Sequence, residues 1–410
     1  MKKVILISGR YIEHNPYREL IIFKKLKADG YKPLLFLPTL SYKRGYPNEV
    51  LNDPIFKKYS PKTFNNSLSL LLQTIGSKYY IMGSDYFYNS IGLLLRIFKK
   101  KIISYDSAGG MDHKQNFANI TCIKSKYYSK YIKTIEYGWA KYLYKSKLIK
   151  KILKLDPQNS QIISGSIIYE NCYKVSSAKN DLKNRYEIND IIIYFPKSII
   201  TYQQKLNLWF KDEKNKDVIN SFSKKHKDLS FQIIRKLIDF GFDIVVKLHP
   251  SIYNSSKIKF AEEKDFWINT GAKIMDPNDS LSFYDNLDLG ISLNSHSCMD
   301  VNYFRKPFLF IEDGQSLPSL DAPSWQFHKY TSLPLGPIED WEKKIDVPKN
   351  KFFPTWVGYY SNLNSLTEEK ISSYIQTPID KTYYDRFIEE FWFKDDNNAS
   401  QRIVDQLKNL

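Results

Sequence analysis

The chain has 410 residues, 42% of them hydrophobic and 26% charged, with a formal net charge of +17. That is enough chain for two ordinary domains with separate cores, and the composition excludes a disordered, collagen-like or solenoid protein. The excess of positive charge suits anionic partners, but it says nothing about the fold.

The N-terminus, Met1-Lys2-Lys3 followed by Val4–Ile7, is too short in its apolar run for a signal peptide and reads as a first strand. Strand and helix then alternate. Strands are predicted at Val4–Ser8, Leu34–Leu37, Tyr79–Met82 and Ile102–Tyr105, and helices at Pro16–Asp29, Ser67–Thr74 and Ile91–Phe98. Apolar runs such as Ile91–Phe98 fall well short of the roughly 18–20 residues that cross a bilayer. From Arg96 to Lys154 there are 15 Lys or Arg against three acids, interleaved with Tyr127, Tyr128, Tyr131, Tyr137 and Trp139. Such a stretch suits an anionic membrane surface or an RNA backbone, or it is a solvated helix face whose aromatics turn inward.

The polar, aperiodic residues near 175–190 read as an interdomain linker. A second α/β series follows. Its strands are predicted at Ile191–Phe195, Asp243–Leu248, Leu289–Leu293 and Phe308–Ile311, and its helices at Ser221–Phe240, Leu281–Asn286 and Cys298–Phe304. Helices at Tyr383–Phe393 and Ala399–Leu407 close the chain, the latter capped by Asn398. The fold class is therefore α/β, with two Rossmann-like domains facing across a cleft. The expected domains are 1–178, 179–380 and a C-terminal helical segment, 381–410, that packs back toward the first. Cys122, Cys172 and Cys298 are far apart and have no metal-ligand spacing, so they read as idle thiols in a reducing cytoplasm.

Three stretches could carry chemistry. Ligands of open α/β sheets bind beyond the carboxyl ends of the strands, and Val245-Val246-Lys247-Leu248-His249-Pro250 places Lys247, His249 and Pro250 at such an end. Taken alone, the His-Pro pair is equally a structural turn. The run Ser292-Leu293-Asn294-Ser295-His296-Ser297 ends a strand and opens a helix. Its hydroxyls and free N–H groups suit a phosphate, and it holds more such groups than a helix cap requires. The third, Ser104-Tyr105-Asp106-Ser107-Ala108-Gly109, sets one carboxylate before small residues. Asp106 is either a base for an acceptor hydroxyl or a turn residue. Arg10 and Asp85, at other strand ends of the first half, are further candidates for an acceptor side. No Asp-x-Asp occurs, so no metal site is expected and no cofactor beyond a donor substrate is implied.

Taken together, Lys-Leu-His-Pro at 247–250, a serine-rich turn some forty residues later and Lys306-Pro307 resemble bacterial glycosyltransferases of the GT-B fold. The likeness is greatest to CMP-sugar-dependent lipo-oligosaccharide sialyltransferases and polysialyltransferases, with capsular Kdo and glycerol-phosphate transferases sharing part of it. The resemblance implies an inverting, metal-independent transfer of a nonulosonic acid or Kdo from a CMP-activated donor to a bacterial surface glycan. A UDP- or other nucleotide-activated donor, or a non-catalytic nucleotide-binding role, are the alternatives. On this likeness Asp106 is the base and His249 contacts the donor phosphate. Ser295 and Ser297 hold that phosphate beside His296, and Ser292 and Asn294 shape the loop. The implied partners are a nucleotide-sugar donor and a glycan or glycolipid acceptor, with peripheral contact to the anionic inner face of the cytoplasmic membrane. Nucleic acid is not expected, and the implied location is cytoplasmic.

Overall fold

The computed structural model describes residues 1–8, 18–39, 54–83, 89–105, 113–114, 117–123, 133–134, 160–167, 170, 178–196, 216–248, 252, 257–276, 279–293, 295, 297–312, 359–376 and 381–410. The chain divides into two units, Met1–Asn171 with Ile388–Leu410, and Cys172–Phe387. Most of the basic stretch 96–154, and the aromatic-rich residues 325–358, lie outside the described residues.

The first unit carries β1 (Lys3–Ile7), β2 (Lys32–Pro38), β3 (Lys62–Phe64), β4 (Tyr79–Gly83), β5 (Lys101–Tyr105), β6 (His113–Lys114), β7 (Ile120–Ile123), β8 (Lys133–Thr134) and β9 (Ser160–Ile163). Seven of these form one sheet in the order β3-β2-β1-β4-β5-β7-β9, with every pairing parallel. β6 and β8 pair separately. A parallel sheet needs both faces covered, and β1 shows how alternation along a strand achieves this. Val4 and Leu6 join a core with Leu20, Ile22 and Leu26 of the helix Arg18–Ala28. Ile5 and Ile7 join the opposite core, with Leu70, Leu71, Ile91 and Leu95 of the helices Ser67–Gln73 and Asn89–Ile97.

The last helix of the chain, Ala399–Asp405, completes the first of these cores through Ala399, Ile403 and Val404. The expected cap, Asn398, makes no side-chain capping bond. A distant carboxylate replaces it. Buried Glu170 accepts the Ser400 N–H at 2.8 Å and the Ser400 hydroxyl at 2.6 Å. Arg402 then ties the helix down, donating from Nε to the Ser164 carbonyl (2.6 Å) and gripping Asp396 with both terminal nitrogens. Beside it, Gly165 has φ +83°, and a Cβ there would lie 3.1 Å from the Arg402 guanidinium.

The second unit carries β10 (Ile192–Tyr194), β11 (Ile244–Val246), β12 (Lys273–Ile274), β13 (Leu289–Ser292), β14 (Phe308–Glu312) and β15 (Tyr359–Asn362). They form one all-parallel sheet, β12-β11-β10-β13-β14-β15. One face packs Ile192, Val246, Leu289 and Ile291 against Ile233, Ile234 and Leu237 of the long helix Lys216–Asp239. The opposite face bears a file of rings in which Phe195 stacks on both Tyr284 and Phe308, and Tyr284 on Phe304. Gly290 lies beneath this file, where a Cβ would sit 2.7 Å from the Phe308 ring.

The linker expectation is corrected as well. Part of the polar stretch read as linker, Lys179–Tyr186, is a helix. Leu182 is its one fully buried apolar side chain, and its polar groups serve as anchors. Arg185 pairs with Asp279 at 2.6 Å, Lys179 pairs with Asp288, and Tyr186 donates to Asp279 at 2.8 Å. A helix held mainly by charged contacts shows no hydrophobic period.

Two outcomes follow from the Gly165 and Glu170 environments. Gly165→Ala is expected to cost more than Gly30→Ala in urea denaturation. Both glycines have positive φ, but nothing lies within 4 Å of a Cβ at Gly30, so that change costs about 1 kcal/mol of backbone strain. Burial raises the Glu170 carboxyl above its ordinary value, outweighing the Ser400 bonds and the charges of Lys25 and Arg402. The native state therefore holds the proton more tightly than the unfolded chain. Glu170's contribution to stability is complete below its unfolded pKa and declines as pH rises through the native value. Melting curves at several pH values should show this slope, and Glu170→Gln should remove it.

Candidate functional site

In the second sheet the strand order reverses between β10 and β13, both of which pair directly in parallel. Neighbouring strands whose connections leave in opposite directions open a crevice at their carboxyl ends, the usual ligand position in such sheets. Here a short hydrogen-bond relay closes the floor. The Phe195 N–H donates to the Ile291 carbonyl (2.9 Å), and the Ser292 hydroxyl donates to the Phe195 carbonyl (2.8 Å). Ser292 is buried, and its oxygen accepts the Ser295 N–H at 3.0 Å. Ser292 therefore shapes the turn from within, and its hydroxyl is committed to the protein.

Ser295 and Ser297 occupy the outer part of this turn and are half-buried. The Ser297 N–H donates to Ser295 Oγ, and the two hydroxyls lie 3.2 Å apart. Ser297 opens the helix Ser297–Tyr303. Lys247 follows β11, its N–H extending the ladder to the Tyr194 carbonyl at 3.1 Å. It is only 8% exposed, and its ammonium lies 5.9 Å from the centroid of the Tyr284 ring. A lysine is rarely this buried without partners that favour its charge.

Tyr284, on the helix Ser280–Asn286, is the meeting point of these groups. Burial holds its hydroxyl well above the ordinary tyrosine range, and the nearby Asp300 charge adds to the effect, while Ser297 opposes it. That hydroxyl makes no hydrogen bond of ordinary geometry, although Ser297 is close enough to influence it. The structure thus brings Lys247, Ser297 and the Ser292 turn together around one ring. Nothing in the sequence distinguishes Tyr284 from the other core aromatics, so it could not be found there. Asp300 is likewise buried, at 5% exposure, and could not be singled out by residue type.

Several predicted residues lie outside the described residues: Arg10, Asp85, Asp106, His249, Pro250, Asn294 and His296. Their described neighbours are informative in two places. Leu248, immediately before His249, is buried. Tyr105, immediately before Asp106, ends β5 and donates its hydroxyl at 3.2 Å to Glu19, which is itself fully buried at the start of the helix after β1. Nothing in the local sequence sets Glu19 apart from other helical acids. Lys306 is at the opposite, amino edge of the sheet before β14, and burial lowers its pKa. Its role in the sequence pattern is thus to lead into the strand.

Among the described residues no cluster of three or more His, Cys, Asp or Glu could hold a metal, and no helix is long and apolar enough to cross a membrane. Cys122 and Cys298 are buried thiols.

No family model and no curated protein matches the sequence. Comparison with solved structures does find relatives in shape. S. aureus MnaA, in a co-structure with UDP, is 15% identical with a TM-score of 0.55, covering 100% of this chain and 96% of its own. The UDP-GlcNAc 2-epimerase from Neisseria meningitidis, bound to UDP-GlcNAc, is 10% identical with a TM-score of 0.51 over 100% of both chains. A glycosyltransferase from Rickettsia africae is 11% identical with a TM-score of 0.51, covering 100% of this chain and 98% of its own. At such identities the likeness is one of fold. The chain is an α/β protein with two Rossmann-like units of the GT-B type.

Removing the Ser292 hydroxyl leaves the Phe195 carbonyl and the Ser295 N–H without it. Ser292→Ala should therefore lower unfolding stability by about 1–3 kcal/mol in urea. Ser297→Ala, on the outer part of the turn, should stay within about 0.5–1 kcal/mol of the parent.

Proposed function

We propose that this protein is a glycosyltransferase that takes its sugar from a nucleotide-activated donor seated on the second unit. The convergence of Lys247 and the Ser295–Ser297 turn on Tyr284, at the point where the strand order reverses, carries the reading. A buried ammonium with adjacent hydroxyls suits a phosphate, because charge-assisted bonds strengthen where water is scarce.

In the proposed reaction an acceptor hydroxyl attacks the anomeric carbon as Asp106 takes its proton. The bond from that carbon to the donor phosphate oxygen breaks, and its electron pair leaves with the nucleotide. Lys247, His249, Ser295 and Ser297 stabilise the negative charge that develops there. One displacement at the anomeric carbon inverts its configuration. No step requires a metal ion.

Solved structures that share the fold are named with UDP and UDP-GlcNAc, which supports a UDP-activated sugar. The Lys-Leu-His-Pro and serine-rich pattern supports a second reading, a CMP-activated nonulosonic acid or Kdo. The acceptor in either case is a surface glycan or glycolipid.

Thermal melting with CMP, CDP, UDP and GDP separates the two, since a ligand selective for the native state raises Tm. One nucleotide is expected to do so clearly, and its sugar conjugates should be consumed. Lys247→Ala should weaken that shift by about tenfold in concentration. His249→Ala should cut turnover by roughly a hundredfold or more with the fold retained. Near-normal turnover in His249→Ala would remove the proposed mechanism. Conversion of UDP-GlcNAc to its 2-epimer without transfer would replace transferase with epimerase.

A further inference from the structure

The first unit presents an apolar stripe that no other described element covers. In the helix Ser67–Gln73 and the turn after it, Leu70, Leu71 and Thr74 face inward, while Leu68, Leu72 and Ile75 recur at i, i+4 and i+7 on the outward side. Leu72 is 63% exposed. The adjoining helix Asn89–Ile97 packs against the first and adds Ile97 and, just beyond it, Phe98, which is 49% exposed. The two ends are joined, because Lys100 Nζ donates to the Ile75 carbonyl at 2.7 Å. Half of the exposed large hydrophobic side chains described anywhere in the chain belong to this one patch.

Its border is basic. Lys99 follows Phe98 directly, and the Lys101 N–H donates to the Lys78 carbonyl at 2.9 Å. Lys78 and Lys2 both place their ammonium groups near the Tyr79 ring, at 5.5 and 5.7 Å. A cationic rim thus runs along the amino ends of β1, β4 and β5, beside the apolar stripe. Residues 54–105 hold eight Lys or Arg and a single acid, Asp85.

We infer that this face is a docking surface for an anionic lipid bilayer. Apolar side chains enter the boundary between headgroups and acyl chains, and the lysines meet lipid phosphates. Charge selects this occupant over a second copy of the chain, because two such faces brought together would set one row of lysines against another. The inference stands apart from the donor chemistry above. It uses the amino ends of the first sheet, whereas the proposed donor site uses the carboxyl ends of the second.

The test is co-sedimentation of the full chain with vesicles of phosphatidylglycerol and phosphatidylcholine, and with phosphatidylcholine alone. Binding should require phosphatidylglycerol and fall steeply as salt approaches about 0.5 M. The double variant Leu72→Ser/Phe98→Ser and the double variant Lys78→Gln/Lys99→Gln should each reduce binding by about tenfold or more. Nucleotide-induced stabilisation should be unchanged in both. If the serine double variant melts early, Leu68→Ser alone serves, with a smaller loss expected. Ile258→Ser, an exposed position of the second unit, should bind as the parent does. Equal binding to both vesicle types, or retention of binding by the apolar and the lysine variants, would overturn the inference. So would a dimer in sedimentation that Leu72→Ser/Phe98→Ser dissolves.

Discussion

Both sheets are buried on both faces, and this burial decides where anything else can happen. Val4–Ile7 in the first sheet and Ile191–Phe195 in the second are almost wholly sequestered, so a ligand has no sheet surface to approach. In these central strands only the ends reach water. The carboxyl ends lead into loops that vary freely, whereas helix packing constrains the faces between them. In the second unit the proposed donor site lies where β10 and β13 part, and the Ser292 hydroxyl bonded to the Phe195 carbonyl bridges the two strand ends there.

The groups at that edge illustrate how a mostly apolar wall sets up a charge. Tyr284 belongs to a stack running from Phe308 through Phe195 to Phe304, and its ring provides the face over which Lys247 sits. A ring quadrupole attracts a cation without competing for the hydrogen bonds that an incoming anion would need. The packed stack also fixes the ring's orientation, so the ammonium is positioned by the core. Asp300, beside the same tyrosine, keeps the surroundings from being purely positive.

Much of this architecture was legible in the residues. Continuous β-branched runs bounded by turn residues marked the central strands of both sheets, because a strand buried on both sides must be apolar throughout. The serine-rich turn was legible because it held more hydroxyls than a cap needs. Other features had no local signature. Lys179–Tyr186 is a helix stabilised by partners about a hundred residues away, at Asp279 and Asp288, and its own sequence shows only polarity. Glu170 caps a helix 230 residues further on, which no neighbouring-residue rule reaches. Tyr284 became distinct only once the fold had set Lys247 over it.

The return of Ile388–Leu410 to the first unit has a consequence for how the molecule is made. Translation delivers the strands of the first sheet early, but Ala399, Ile403, Val404 and Leu407, which complete one of its cores, follow only after the second unit. Until then that core is closed only in part, by the helix Arg18–Ala28, and Glu170 is a carboxylate without its serine. The nascent protein must therefore finish its second half while the first is still incomplete. The clasp of Arg402 on Ser164 and Asp396 accordingly closes only after the second unit has been synthesised.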